Sequence, residues 1–120
     1  MSRHYIILPA AAQVQEAGKT RHLQSAAVIC GYDRLPHRHF FCNVSESLNA
    51  DHIDEPIWAS ILDSHLDHVT SADGFDPKLA SMGITLPPAY KDELVRDWSS
   101  DPKNREVWWE PDGTIAKVGA

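Results

Sequence analysis

The sequence predicts an α+β fold, a small antiparallel sheet with two helices packed on one face, and three observations carry that prediction. Runs rich in β-branched and aromatic residues, "RHYIIL", "AAVICGYD" and "HRHFFCNV", crowd the N-terminal third. Two helix-like segments follow, "FDPKLASMG" and "PPAYKDELVRDW", each opened by proline. A last pair of short strand-like runs, within "REVWWEPDGTIAKV", flanks the turn tripeptide Pro111-Asp112-Gly113. Strands grouped apart from helices, rather than alternating with them, are the mark of this class.

Taken in order, Arg3 to Leu8 reads as a short strand that Pro9 stops. "AAAQVQEAGKT" fits either a helical turn closed by Gly18 or a loose loop. A strand from His22 to Asp33 and a partner in "HRHFFCNV" are joined by "DRLPH". If Tyr32 faces Phe40, the constant index sum of an antiparallel pair places Cys30 opposite Cys42 and Val28 opposite Val44. Those six residues share one face. Ala27, Ile29, His39 and Phe41 share the other, which is also rather apolar, so the hairpin is expected to be central and covered on both sides. "DEPIWASILDSHLDHV" supports a helix with Ile57, Ile61 and Leu62 on one side, or a strand with Ile57, Ala59 and Ile61 alternating. Next comes a helix with Asp76 as N-cap, Pro77 in its first turn and Gly83 as its stop. A second helix from about Pro87 to Trp98 places Tyr90, Leu94 and Trp98 on a core stripe, with Val95 alongside.

"GYDRLPHRHFF", "EPIWASILD", "LASMGITLPPAYKDELVRD" and "NREVWW" together resemble a group of small bacterial proteins. Their shared order is a Gly-Tyr-Asp hairpin ending in Phe-Phe, a Trp-containing strand, a Leu-Gly-Ile-x-Leu-Pro helix junction and a short terminal strand. The likeness spans roughly residues 28 to 109 and is one of pattern. The tip departs from it, reading Arg34-Leu35-Pro36 where the group has Arg-Pro-Leu. The resemblance implies architecture and no activity, and it favours a strand over Pro56 to Leu62.

Composition narrows the function classes. A chain of 120 residues with 42% hydrophobic and 23% charged residues is expected to form a single domain, 1–120, around one modest core. A net charge of -6, with eleven scattered lysines and arginines, opposes binding to nucleic acid phosphates or anionic lipid. The apolar run Tyr5 to Leu8 is too short for a signal-peptide core or a membrane span, so a cytoplasmic protein is expected. Cys30 and Cys42, both facing the core on the register above, are expected to be reduced and inert.

Several residue sets bear on chemistry. His37 and His39 lie two apart on a strand and point the same way, and His65 and His68 fit one helical turn, with Asp63 and Asp67 close by. Those four imidazoles are the ligand set of a metal-dependent hydrolase reading, although their spacing matches no closed metal site. Asp51, Asp54 and Glu55 form an acidic group that would need desolvation to act as acid or base. No nucleophile elbow and no Gly-rich phosphate loop occurs. Trp108 and Trp109 are adjacent and must face opposite sides of a strand, so an edge position would expose one indole. The leading expectation is therefore a small acidic, non-enzymatic protein-interaction module: an inhibitor, immunity factor or adaptor, as on a bacterial mobile element. Its contacts are expected at Tyr32, Arg34, His37, Trp108 and Trp109, with a protein as partner and no cofactor, nucleic acid or membrane. The metal-dependent hydrolase is the alternative, and single-stranded nucleic acid on sheet aromatics a third class that the charge opposes.

Overall fold

The structure is a computed structural model that describes residues 1–48 and 56–119. Its elements in chain order are β1 (Ser2–Glu16), β2 (Lys19–Asp33), β3 (His39–Ser45), β4 (Trp58–Ala59), a 3₁₀ turn (Ser60–Leu62), α1 (Asp76–Ala80), α2 (Pro88–Ser100), β5 (Arg105–Trp109) and β6 (Ile115–Gly119). The strands form one six-stranded sheet in the order β4-β3-β2-β1-β5-β6. Only its β1–β5 pair is parallel, so the sheet is mixed, larger than the small antiparallel sheet predicted. The cause is long-range: α2 carries the chain back so that Ser2–Tyr5 pairs with Arg105–Trp108, a contact no local pattern announces.

β1 does not stop at Pro9. Pro9 still pairs with Ser25, and a register shift between Pro9 and Ala12 takes Ala10 and Ala11 out of the β2 ladder. Ala11 N–H donates instead to Met82 O at 2.7 Å. "AAAQVQEAGKT" is therefore neither helical turn nor loop but strand and hairpin turn. Ala17 and Gly18 both have positive φ, 52° and 77°, as a two-residue turn matched to strand twist requires. The outer part of this hairpin carries mainly exposed side chains and projects as a two-stranded arm.

The β2–β3 register is the expected one: Tyr32 pairs with Phe40, Cys30 with Cys42 and Val28 with Val44. Those six residues, with Ile6 and Leu8, are buried under the helices. Phe75, Leu79, Ile84, Leu86, Tyr90 and Leu94 meet them from the other layer, each burial contributing about 1.5–3 kcal/mol. The opposite face is uncovered by helices, which corrects the hairpin covered on both sides. There Ile29, His39 and Phe41 are half-buried, and only Ala27 of the expected four is fully buried.

Three local expectations change. Pro56 to Leu62 holds a two-residue strand and then the 3₁₀ turn, with "DSHLDH" in turns beyond it. Phe75, not Asp76, occupies the cap position of α1, because its carbonyl accepts the i→i−4 bond from Leu79 N–H at 2.9 Å; the Asp76 carboxylate is held by Lys91 of α2. In α2, Tyr90 and Leu94 are buried as predicted and Trp98 packs against the core, but Val95 is exposed and Asp97 takes the inward place. No helix among the described residues is long and apolar enough to cross a membrane.

Candidate functional site

The expected contact residues separate into three places. Tyr32 is fully buried, its hydroxyl donating to Asp101 Oδ1 at 2.7 Å, and Trp109 is 7% exposed inside the core. Neither can meet a partner; both expectations are corrected. Arg34 and His37 are exposed at the hairpin tip, with Arg34 3.6 Å from Asp101. Behind them the Arg38 guanidinium lies 4.4 Å from the Trp98 ring and donates to the Tyr32 hydroxyl, so the base of the tip is tied to the end of α2. Asp101, accepting from Tyr32 and flanked by Arg34 and Arg38, is held below the ordinary carboxylate range. Trp108 alone of the adjacent indoles reaches the surface. It does so on the open sheet face, from a strand internal to the sheet rather than at its edge.

The histidines do not assemble. His37 and His68 stand with ring centroids 6.3 Å apart, and His39 Nδ1–H donates to the His37 carbonyl at 2.7 Å. Asp63 accepts from the Trp58 indole and the His65 amide, and that amide bond chiefly holds its carboxyl below the ordinary value. Among the described residues no three His, Cys, Asp or Glu side chains form a group able to hold an ion. His37, His39, His65 and His68 are therefore not one ligand set. Asp51, Asp54 and Glu55 lie outside the described residues.

An Asp–His pair does exist, in a place the sequence reading left unremarked. His4 of β1 and Asp97 of α2 are 0% and 1% exposed, with Nε2 and Oδ2 2.6 Å apart. The Trp109 indole, which can only donate, gives its N–H to His4 Nδ1 at 3.0 Å. That fixes the imidazole as the neutral tautomer with its proton on Nε2, donated to Asp97. Burial alone would raise the Asp97 carboxyl, but hydrogen bonds from His4, Ser2 and Arg105 outweigh it and hold the group below its usual value. Arg105 contributes at 2.6 Å and extends to Glu93 at 2.9 Å. The composition is that of a catalytic dyad. Its geometry is not, because no substrate atom reaches a pair sealed between β1, β5 and α2; it is a structural bolt.

What remains open is the face away from the helices. On β1 it presents Arg3, Tyr5 and Ile7, on β2 Ile29 and Asp33, on β3 His39, Phe41 and Asn43, and on β5 Trp108. Tyr5 and Trp108 stack at 5.2 Å with their planes 12° apart, and Lys117 of β6 sits 5.0 Å from the indole. Tyr5 donates to Glu106 at 3.0 Å; its phenol is raised, first by burial and then by that carboxylate. Gly31 gives the Phe41 ring its place. A Cβ there would lie 1.9 Å from Ser2 O and 2.6 Å from Phe41 Cζ, so only glycine lets the ring lie across β2. Beside that ring runs a groove of about 360 Å³, lined by Tyr5, Ile29, Phe41 and Ile61, with Arg3, Asp33, His39 and Asp67 at its borders. Ile61 of the 3₁₀ turn, part of this lining, is 75% exposed, while Leu62, 83% exposed, lines a separate depression with Trp58 and Lys78. The one sequence signal for this groove was a glycine inside a strand followed by a Phe-Phe pair.

Comparison with protein-family models, curated proteins and solved structures gives no match for this chain.

Proposed function

We propose that this protein is a small acidic protein-interaction module, non-enzymatic and of the inhibitor, immunity or adaptor type, that docks a partner protein on the open face of its sheet. The observation that supports this most is the one-sided cover: both helices lie on one face, and the other keeps Tyr5, Ile29, Phe41 and Trp108 half-exposed around a groove. Contiguous apolar and aromatic surface of this kind, rimmed by charge, is the makeup of a binding surface. The hairpin tip with Arg34 and His37 adjoins this face through Asp33 and His39 and belongs to the same contact in our reading. The setting we propose is the bacterial cytoplasm, where two buried thiols stay reduced. Nucleic acid is not the ligand proposed, since the net charge of -6 opposes it.

A photo-crosslinking residue at position 108, and in parallel at 34, tests this in the host cell. The expected result is the same protein captured from both positions, and not from position 96, an exposed site on α2. Capture from 108 no stronger than from 96 would remove the open face as the contact surface.

A further inference from the structure

We infer that Cys30 and Cys42 are a redox pair: exchange with a small-molecule disulfide of the glutathione type joins them in a cross-strand disulfide that closes a ring around the hairpin tip. They are the chain's only cysteines, so no other pairing within the chain competes. They face each other directly in the β2–β3 register, both fully buried on the helix-covered face and both free thiols. Directly opposite residues on antiparallel strands have Cα atoms about 4.5 Å apart where the two backbones do not bond each other, and about 5.5 Å apart where they do. Here they do not. The Cys30 N–H donates to the Tyr90 hydroxyl at 3.0 Å and the Cys42 N–H to the Ser60 hydroxyl at 2.9 Å, so neither serves the other's carbonyl. The closer spacing lies inside the range of about 4.4–6.8 Å that a disulfide spans. The side chains agree with it, since Cys30 is near enough to bear on the Cys42 thiol as a hydrogen-bonding neighbour.

The segment between the cysteines is Gly31 to Phe41, the whole of "GYDRLPHRHFF", so the bond ties the base of the tip that carries Arg34 and His37. In a reducing compartment the pair rests as the dithiol, and a disulfide formed there is of the transient, redox-sensing kind. Both sulfurs are shielded, so exchange waits on the opening of β3. On its outer side β3 meets a strand of two residues, the Phe40–Val69 bridge and the Ser60 hydroxyl, a short seam that local opening can part. One thiol then loses its proton to solvent and its sulfur attacks the small disulfide, breaking that S–S bond and releasing one glutathione thiolate. As β3 closes, the second thiol loses its proton and attacks the protein-side sulfur of the mixed disulfide. The Cys30–Cys42 bond forms and the second glutathione thiolate leaves. Two protein thiols are oxidised, one glutathione disulfide is reduced to two thiols, and the two protons released are those the two thiolates take up.

The full chain, refolded from urea into glutathione buffers of stepped oxidised-to-reduced ratio, is the test. Remaining thiols are alkylated in denaturant and the intact mass is read; refolding removes any dependence on how fast the native seam opens. The expected product has both cysteines protected from alkylation and carries no glutathione. It should be half-populated at a ratio about tenfold or more below the one needed when the same chain is held in concentrated urea, because the fold presents the sulfurs to each other. The ring form, freed of glutathione, should also melt about 5 °C or more above the dithiol form. Equal midpoints in native buffer and urea, a higher midpoint in native buffer, or a native product that keeps glutathione on either cysteine overturns the inference. A ring form that melts below the dithiol form does the same, since the strands would then hold the sulfurs in a geometry that the bond strains.

Discussion

A carboxylate and an imidazole, both out of water and 2.6 Å apart, hold the first strand to the long helix. Removing one partner of such a pair leaves the other charged or polar and uncompensated, so Asp97→Ala is expected to cost about 3–5 kcal/mol in denaturant unfolding. The sign of its pH dependence follows from the depressed carboxyl. The stabilisation is present above the ordinary aspartate value of about 3.9 and is lost as pH falls through the lower folded value. In Asp97→Asn, less stable at neutral pH, that acid-dependent loss should be missing; urea titrations across the acidic range read it directly. The Cys42 thiol follows the opposite rule. Burial, then the neighbouring Cys30, pushes the Cys42 thiol well above its usual value. Its contribution therefore holds below the ordinary thiol range and is lost only as pH rises through the folded value. Iodoacetamide at neutral pH should leave both cysteines unmodified until denaturant opens the fold; native labelling at the rate of free cysteine would show that the thiols are accessible.

Elements differ in how much change they tolerate, and "GYDRLPHRHFF" contains both extremes. Gly31 sits where a methyl group meets a backbone oxygen that cannot move aside without parting β1 from β2, so Gly31→Ala should cost about 3 kcal/mol. Phe40, buried on the helix-covered face, should cost about 3–5 kcal/mol when cut to alanine. At the tip the expectation reverses. Arg34 pairs with Asp101 at 3.6 Å with both groups more than two-fifths exposed, and His37 is exposed, so the Arg34→Ala, His37→Ala protein should stay within about 0.5 kcal/mol of the parent. Calorimetric melting of the three variants separates the two kinds of position. A double variant that unfolds would make the tip a structural element instead of a contact.

For the whole molecule, the decisive joint is the one between the two ends of the chain. β1 and β5 are parallel neighbours, and β5 delivers Val107, Trp109 and Arg105 to the core, to His4 and to Asp97. A chain ending at Asp101 keeps both helices and the long hairpin but leaves His4 and Asp97 without two of their partners and opens an edge along β1. It should lose its cooperative thermal transition by circular dichroism. A sharp transition in that shortened chain would mean that β5 and β6 are an appendage to an already complete core.

Local sequence determined the β2–β3 hairpin, down to its register, because alternation and a short tip leave few alternatives. It likewise determined α2, whose proline start and four-residue spacing are local signals, and the opposite facing of Trp108 and Trp109, which is strand geometry. Tertiary structure decided the rest. Pro9 ends a strand by propensity, yet a bulge and a loop carbonyl carried β1 past it. Val95, expected beside the core stripe, faces solvent and Asp97 faces the core because His4, Ser2 and Arg105 supply the hydrogen bonds that let a carboxylate turn inward. The open face was illegible for the same reason. Arg3, Tyr5 and Ile7 alternate with His4, Ile6 and Leu8, both sets mix apolar and polar residues, and only the packing of two helices selects which set is covered.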